Sequence, residues 1–358
     1  MNPLPLQSIL LSDTPLIDVR AEIEFKAGSF PSARNMPILN DHERALVGIC
    51  YKDKGPDAAK ALGHELVSGA IRENRIDNWC EFISQNPGAK LYCFRGGLRS
   101  TLAQQWLQDR GIQIEKIKGG YKALRQSLLA VYEDLPELIV VAGKTGTGKT
   151  EFLARIPNKV DLEYRANHRG SAFGKQLSEQ PAQIDFENRV ALDFLKLHSG
   201  PVLIEDESRL IGRINLPLLL QKAMAEAPIV LLEDSVENRI ARINNEYLVE
   251  QFQALSAQTG SVTKAQDALE RIFLDSLGAI KKRLGPERHR SLVNLMGVGF
   301  QIQKTGDFSA HNAWIRVLLE EYYDPMYEYQ LSKKQSRIIG SGTQEGLLEY
   351  ADYSPKKT

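Results

Sequence analysis

The chain has 358 residues, 42% of them hydrophobic and 25% charged, which is material for about two or three domains with ordinary cores and excludes a disordered or fibrous protein. Forty-five Lys and Arg balance 45 Asp and Glu, so no global field delivers the chain to nucleic acid or to an anionic membrane, and any polyanion must meet a local basic patch. Cys50, Cys80 and Cys93 are too few and too scattered for a disulfide framework or a four-ligand zinc site, which points to a reducing compartment.

Residues 1–15 carry no basic leader region, and no later run approaches the roughly 18–20 apolar residues of a membrane span. A cytoplasmic protein without a membrane partner is expected. Short β-rich apolar runs then alternate with helical periods, the pattern of α/β domains with mostly parallel sheets. Residues 15–20 predict a buried strand, 57–69 a helix, 90–93 a strand, 100–110 a helix and 114–117 a third strand before Gly119-Gly120. A helix over 121–132 closes this first block, 1–133, and Glu133-Asp134-Leu135-Pro136 reads as a linker. The second block, 137–235, opens on a strand at 137–142. Further apolar strands at 201–204 and 228–232 each run straight into acidic residues, which places a site at the carboxyl edge of one sheet. From 236 to 358 the texture is mainly helical, attached to the second block. Leu269, Ile272, Phe273, Leu277, Ile280 and Leu284 keep helical spacing, and Gly285-Pro286 stops one helix and starts the next. Residues 333–358 are polar and glycine-containing and are expected to be partly mobile.

Two loops carry chemistry. Cys93-Phe94-Arg95-Gly96-Gly97-Leu98-Arg99-Ser100 lies between an apolar strand and a helix. Gly96 and Gly97 let amides turn inward, the helix start near Ser100 adds its positive end, and Arg95 and Arg99 add charge, which makes an anion cradle. Such a field favours a thiolate, so Cys93 is the candidate nucleophile, with both arginines converging on it. Cys50 and Cys80 have no such surroundings and are assigned to packing.

Gly143-Lys144-Thr145-Gly146-Thr147-Gly148-Lys149-Thr150 follows the strand at 137–142 and precedes a helix, the setting a phosphate-binding P-loop requires. Gly143, Gly146 and Gly148 let amides wrap a phosphate, Lys149 neutralises it, and the Thr150 hydroxyl is suited to a magnesium ion. The loop is suited equally to a nucleoside triphosphate and to a diphosphate ester. Glu205-Asp206-Glu207 and Glu233-Asp234 are rival acidic partners at the strand ends. Further candidate substrate contacts are His168, Arg169 and Arg209. The densest basic cluster, Lys281-Lys282-Arg283 continued by Arg288 and Arg290, is the candidate polyanion patch, with Tyr322, Tyr323, Tyr327 and Tyr329 before Lys333, Lys334 and Arg337 as stacking candidates.

Ile17-Asp18-Val19-Arg20, the 24–31 segment and Ala33-Arg34-Asn35-Met36-Pro37 resemble the N-terminal signature of rhodanese-like domains. The cysteine loop falls where their persulfide cysteine would be. Five residues, 94–98, separate Cys93 from Arg99, one more than in the common sulfur-transferring rhodaneses and similar to rhodanese-related dual-specificity phosphatases. The wider loop suits a larger tetrahedral anion bearing phosphorus or selenium. A rhodanese-like parallel-sheet domain followed by a P-loop NTPase-like α/β domain with a helical C-terminal portion is the expected fold. Asn167 to Gly174, Phe186-Glu187-Asn188, Glu205 to Gly212 and Tyr323-Asp324-Pro325-Met326-Tyr327 resemble segments of the tRNA 2-selenouridine synthase family, and the likeness runs over about residues 10–331.

That resemblance implies a two-step change at wobble uridine 34 of the tRNAs for lysine, glutamate and glutamine. The sulfur of 2-thiouridine is geranylated by geranyl diphosphate, and the S-geranyl group is then replaced by selenium from selenophosphate. It also implies a selenium-carrying cysteine, which maps to Cys93, with Arg95 and Arg99 on the selenophosphate anion, and a transient contact with the enzyme that supplies selenophosphate. Placing the geranyl donor's diphosphate on the P-loop follows from phosphate geometry, and the motif alone does not imply ATP. No tightly bound cofactor or resident metal is expected, magnesium being an optional companion of the diphosphate. The alternative is a rhodanese-related phosphatase or sulfurtransferase with a nucleotide-binding P-loop domain.

Overall fold

A computed structural model describes residues 5–351. The chain divides into two compact units, one comprising residues up to Asp134 plus Ala182–Lys196, the other Leu135–Pro181 and the chain from Leu197 onward.

The first unit is built on a four-stranded parallel sheet: β1 (Leu16–Asp18), β2 (Ala33–Asn35), β3 (Lys90–Tyr92) and β4 (Glu115–Lys116), in the order β2-β1-β3-β4. Leu16 pairs with both Ala33 and Lys90, and Lys90 with Glu115, so β1 and β3 are the inner strands. Ile17, Leu91, Trp79, Ala103 and Trp106 fill the core, with the two tryptophan rings stacked at 6.2 Å. The helix expected over 57–69 is longer: Asp41–Leu66 is helical but breaks at Gly55, where φ is 84° just before Pro56. The helix predicted from residue 121 runs Gly120–Leu129 and tightens into a 3-10 turn over Ala130–Glu133.

The helix Gln183–Lys196 belongs with this unit, although its sequence position is inside the 137–235 block. Its partners explain the assignment. Arg125 donates to Asn188 Oδ1 at 2.7 Å, Asn188 Nδ2 to the Ser29 carbonyl at 2.8 Å, and Tyr132 Oη to the Glu187 carbonyl at 2.8 Å. Phe186, Val190 and Ala191 are fully buried on its apolar side, and Tyr132 meets Phe194 edge to face.

The second unit carries a five-stranded parallel sheet of β5 (Leu138–Ala142), β6 (Lys159–Val160), β7 (Val202–Glu205), β10 (Ile229–Leu232) and β11 (Ile338–Gly342), in the order β11-β10-β5-β7-β6. A small antiparallel ribbon, β8 (Leu210–Ile211) with β9 (Ile214–Asn215), stands apart from it. β5 is central, and the chain passes from β7 on one side of it to β10 on the other. A crevice therefore forms at its carboxyl end, the place where open α/β sheets bind ligands. The helical part follows as expected: Leu269, Phe273 and Leu277 on Val262–Ala279 pack with Leu292 and Met296 on Pro286–Gln303 and with Trp314, all buried.

The tail departs from expectation. β11 pairs parallel with β10, and in the following helix, Gln344–Ala351, Leu347 is buried beside Val141, Phe152 and Leu232. Glycine and polar residues hid an edge strand that is only half buried. Residues 352–358 lie outside the described residues. Among the described residues no helix is long and apolar enough to cross a membrane.

Candidate functional site

Cys93 follows the last residue of β3, and the helix Leu98–Asp109 starts just beyond Gly97. The loop between is stitched to the helix Gly120–Leu129, since Tyr121 N–H donates to the Cys93 carbonyl at 2.9 Å and Lys122 N–H to that of Phe94 at 3.0 Å. Gly120 is obligatory there: φ is +59°, and a β-carbon would lie 2.2 Å from the Cys93 carbonyl oxygen and 2.5 Å from Gly96 N. Cys93 is buried, its Sγ 3.2 Å from Ser100 Oγ, and that hydroxyl is 3.0 Å from the Gly97 carbonyl. Gly97 precedes the first helical turn, whose amide end faces the loop.

The two arginines do not converge as expected. Arg99 is claimed by Glu24, Nη1 to Oε2 at 2.5 Å and Nη2 to Oε1 at 3.1 Å, and Arg44 Nε adds a third contact to that carboxylate at 3.1 Å. Burial disfavours charge on Glu24, but the hydrogen bond and charge of Arg99 outweigh it and hold the carboxyl below its ordinary range. An anion entering the loop therefore competes with Glu24 for Arg99. Arg95 is exposed, its guanidinium 5.9 Å from the Phe94 ring centre.

In the second unit the phosphate loop joins β5 to the helix Lys149–Ala154, with Gly146 and Gly148 at φ +83° and +80°. Its carbonyls are held from outside. Arg239 Nε donates to Thr145 O at 2.9 Å, Arg242 Nη1 to Gly146 O at 2.6 Å, and Gln344 Nε2 to Gly148 O at 3.3 Å. With these carbonyls turned outward to their donors, the loop amides other than that of Thr147, which donates to the Lys144 carbonyl at 3.2 Å, are left for an anion. Lys149 Nζ rests on the Gly143 carbonyl at 2.9 Å, and Thr150 Oγ1 is 3.3 Å from Glu163 Oε2.

Of the two acidic candidates, the strand β7 end is the one at the loop. Glu205 is fully buried and accepts Glu163 N–H at 3.0 Å, while Asp206 is paired with Lys334 at 2.7 and 2.8 Å. Burial, reinforced by the neighbouring carboxylates, pushes Glu205 and Glu207 well above the carboxylate range, and burial raises Glu163 against the pull of Lys149. Glu233 is exposed, and Asp234 is committed to Arg242 at 2.9 Å and Asn238 at 2.7 Å. Among the described residues no group of three or more His, Cys, Asp or Glu side chains is placed to hold a metal ion.

The loop opens into a chamber of about 1250 Å³, with Glu207, His168, Arg169, Tyr247, Tyr322 and Tyr327 among its walls. Arg169 donates to the Glu246 carbonyl at 2.6 Å and lies 4.9 Å from the Tyr247 ring centre; burial lowers His168 below the usual imidazole range. Arg283 also reaches the chamber, whereas Lys281, Lys282 and Arg290 are exposed, and Arg288 pairs with Glu321 at 3.0 Å. Arg209 is exposed and is not among the chamber walls. The tyrosines divide: Tyr323 is buried, Tyr322 and Tyr327 face the chamber, and Tyr329 is exposed beneath Lys333. Arg239, Arg242 and Glu163 were missed in sequence. The only local signal was two arginines three apart at 239 and 242 on the helix Val236–Ile243.

Residues 136–358 match a family described as the tRNA 2-selenouridine synthase AAA domain. The chain is 48% identical over 355 residues to a tRNA 2-selenouridine synthase of Marinobacter nauticus, covering 96% of this chain and 95% of that protein. It is 47% identical over 356 residues to one of Pseudomonas syringae pv. syringae, with 98% and 97% covered, and 45% identical over 358 residues to one of Shewanella sediminis, again with 98% and 97% covered.

Proposed function

The chain belongs to the tRNA 2-selenouridine synthase family, a family of tRNA-modifying transferases, and from that premise we propose that its two loops divide a two-step conversion of 2-thiouridine 34 to 2-selenouridine. In the first step the phosphate loop holds the diphosphate of geranyl diphosphate. The bond from geranyl C1 to the diphosphate oxygen breaks, a C1–S bond forms to the base, a proton leaves N3, and diphosphate departs. Lys149 and the loop amides stabilise the charge growing on that leaving group. The oxygens available to a magnesium ion there are the Thr150 hydroxyl and the Glu163 carboxylate, 3.3 Å apart, and an ion held between them would add positive charge beside the departing diphosphate.

In the second step the selenium of selenophosphate forms a bond to C2 of the base and the C2–S bond breaks, the departing thiolate taking up a proton to leave as geranylthiol. Water then cleaves the Se–P bond, releasing phosphate and returning a proton to N3 to leave 2-selenouridine. Alkylation makes this exchange feasible, because a thiol leaves where a thiocarbonyl sulfur does not. Cys93, with Ser100 and the amides of the loop, is assigned to selenium handling, and Arg95 and Arg99 to its phosphate. The tRNAs for lysine, glutamate and glutamine are the proposed substrates, with Arg169, Arg283, Tyr322 and Tyr327 around the base and Lys281, Lys282, Arg288 and Arg290 along the backbone.

The observation that carries this reading is the size and lining of the chamber. A phosphate loop on the wall of a 1250 Å³ space bordered by arginines and tyrosines has room for a diphosphate ester and a nucleobase together. Nucleoside mass spectrometry on 2-thiouridine-containing tRNA tests it. Geranyl diphosphate alone should give S-geranyl-2-thiouridine, and both donors together 2-selenouridine. Unchanged 2-thiouridine on a tRNA that the protein demonstrably binds would reject it.

A further inference from the structure

The phosphate chamber adjoins a second space. Thr145, Ser171, Tyr247 and Tyr323 wall both the chamber and an apolar slot of about 20 Å³, otherwise lined by side chains such as Phe173, Phe273, Trp314, Ile315 and Leu318. Its aromatic rings pack on one another among aliphatic side chains: Phe273 and Trp314 meet edge to face at 5.6 Å, and Phe173 lies 5.8 Å from Phe273. Thr145 belongs to the phosphate loop itself, so an anion on the loop and an apolar group in the slot are neighbours.

The two tyrosines between the spaces stand on unusual backbone. Tyr247 lies on a π-helical segment, Asn244–Val249, and Tyr323 ends another, Leu319–Tyr323. Such turns are rare and concentrate at functional sites. The Tyr323 hydroxyl is buried and makes no hydrogen bond of ordinary geometry, with polar atoms of Ser171 and the Ala172 backbone beside it, so its ring is only loosely anchored between slot and chamber.

A phosphate cradle that shares a wall with a dry aromatic slot fits a ligand with an anionic head and a hydrocarbon chain. A nucleoside would leave sugar hydroxyls unpaired among phenylalanine and tryptophan. We propose that the slot, opened by a swing of Tyr323, receives the hydrocarbon tail of the diphosphate ester whose head the phosphate loop binds. This rests on the diphosphate reading of the loop given above. At 20 Å³ the slot is closed to any such chain, since an apolar cavity of about 150 Å³ is what accommodates benzene. The ring of Tyr323 is therefore the part that must move.

The test is calorimetric binding of inorganic pyrophosphate, dimethylallyl diphosphate, geranyl diphosphate and farnesyl diphosphate to the full-length protein and two variants. In Leu318→Phe, which narrows the slot, geranyl diphosphate should weaken by about tenfold or more, because each buried methylene carries a factor of about four. Pyrophosphate should bind as before, which also shows that the variant is folded. Ile315→Ala, which widens the slot, should shift preference toward the longer farnesyl chain. If chain-length preference is the same in both pyrophosphate-competent variants as in the parent, the tail lies elsewhere and the proposal is overturned. If neither pyrophosphate nor any ester binds the parent protein, the diphosphate reading of the loop fails first and takes the slot with it.

Discussion

Arg239 and Asp324 form a buried two-pronged ion pair against the phosphate loop, Nη1 to Oδ2 at 2.9 Å and Nη2 to Oδ1 at 2.6 Å. The same guanidinium donates through Nε to the Thr145 carbonyl, and Lys144 of the loop reaches Asp324 at 3.4 Å and Glu328 at 2.6 Å. Helix Asp324–Ser332 is thereby tied to the loop by charge at two points.

Removing one partner of such a pair strands the other in the interior, at a cost of about 3–5 kcal/mol. Asp324→Asn should lower stability by that order in chemical denaturation and weaken pyrophosphate binding, because Thr145 O loses its fixed donor. The double variant Arg239→Met with Asp324→Leu should recover most of the stability and little of the binding. Full recovery of both would show that the pair acts on stability alone.

What could be read from the sequence was whatever is local. The phosphate loop announces itself because strand, glycines and lysine are contiguous, and the helical spacing of Leu269, Phe273 and Leu277 follows from burial on a single helix. The cysteine loop was found for the same reason, but its electrostatics were not. Arg99 looked committed to the sulfur because Glu24, its actual partner, is 75 residues away. The helix Gln183–Lys196 was placed with the wrong neighbour because Ser29, Arg125 and Tyr132, which hold it, precede their partners on it by 55 residues or more. The π turns that position Tyr247 and Tyr323 leave no periodic trace, since they interrupt helices whose sequence pattern continues on both sides.

The two loops should separate under mutation. Lys149 is the cation of the phosphate loop, and a charge-assisted hydrogen bond contributes about 1.5–3 kcal/mol. Lys149→Ala should therefore weaken pyrophosphate binding and geranylation by about ten- to a hundredfold. Cys93→Ser keeps the contact shape beside Ser100 but removes the thiol, so selenation should stop while S-geranyl-2-thiouridine still accumulates. Equal loss of both products in the Cys93 variant would end the division of labour.

His311 makes stability depend on pH in the acid range. Its ring is fully buried, with Nε2 2.9 Å from Gln303 Oε1 and Nδ1 accepting from Trp314 Nε1 at 2.8 Å. Both nitrogens are thus used by a neutral imidazole, and burial depresses the ring to about 4. The unfolded chain takes up this proton near pH 6.5 and the folded chain only near 4, so the unfolded state binds more protons between those values. Stability is complete above about 6.5 and declines as pH falls toward 4, by up to about 3 kcal/mol. Melting curves across that window should be steeper for the parent than for His311→Gln. Parallel curves would remove His311 from the account.

Gly120 offers the sharpest way to disable the cysteine loop without touching its chemistry. The residue sits at φ +59°, which costs a side-chain-bearing residue about 1–2 kcal/mol in itself. An added methyl would also collide with the Cys93 carbonyl at 2.2 Å and Gly96 N at 2.5 Å, both backbone atoms that cannot swing aside. Relief requires the 93–97 loop to move off the helix Gly120–Leu129, breaking the Tyr121 N–H bond to Cys93 O and displacing the sulfur from Ser100. Gly120→Ala should thus abolish selenation in nucleoside mass spectrometry. The phosphate loop belongs to the other unit and is built from none of these atoms, so pyrophosphate binding and geranylation should persist in the same preparation. Selenation at the parental rate in a folded Gly120→Ala protein would mean that the loop geometry around Cys93 is not what the second step requires.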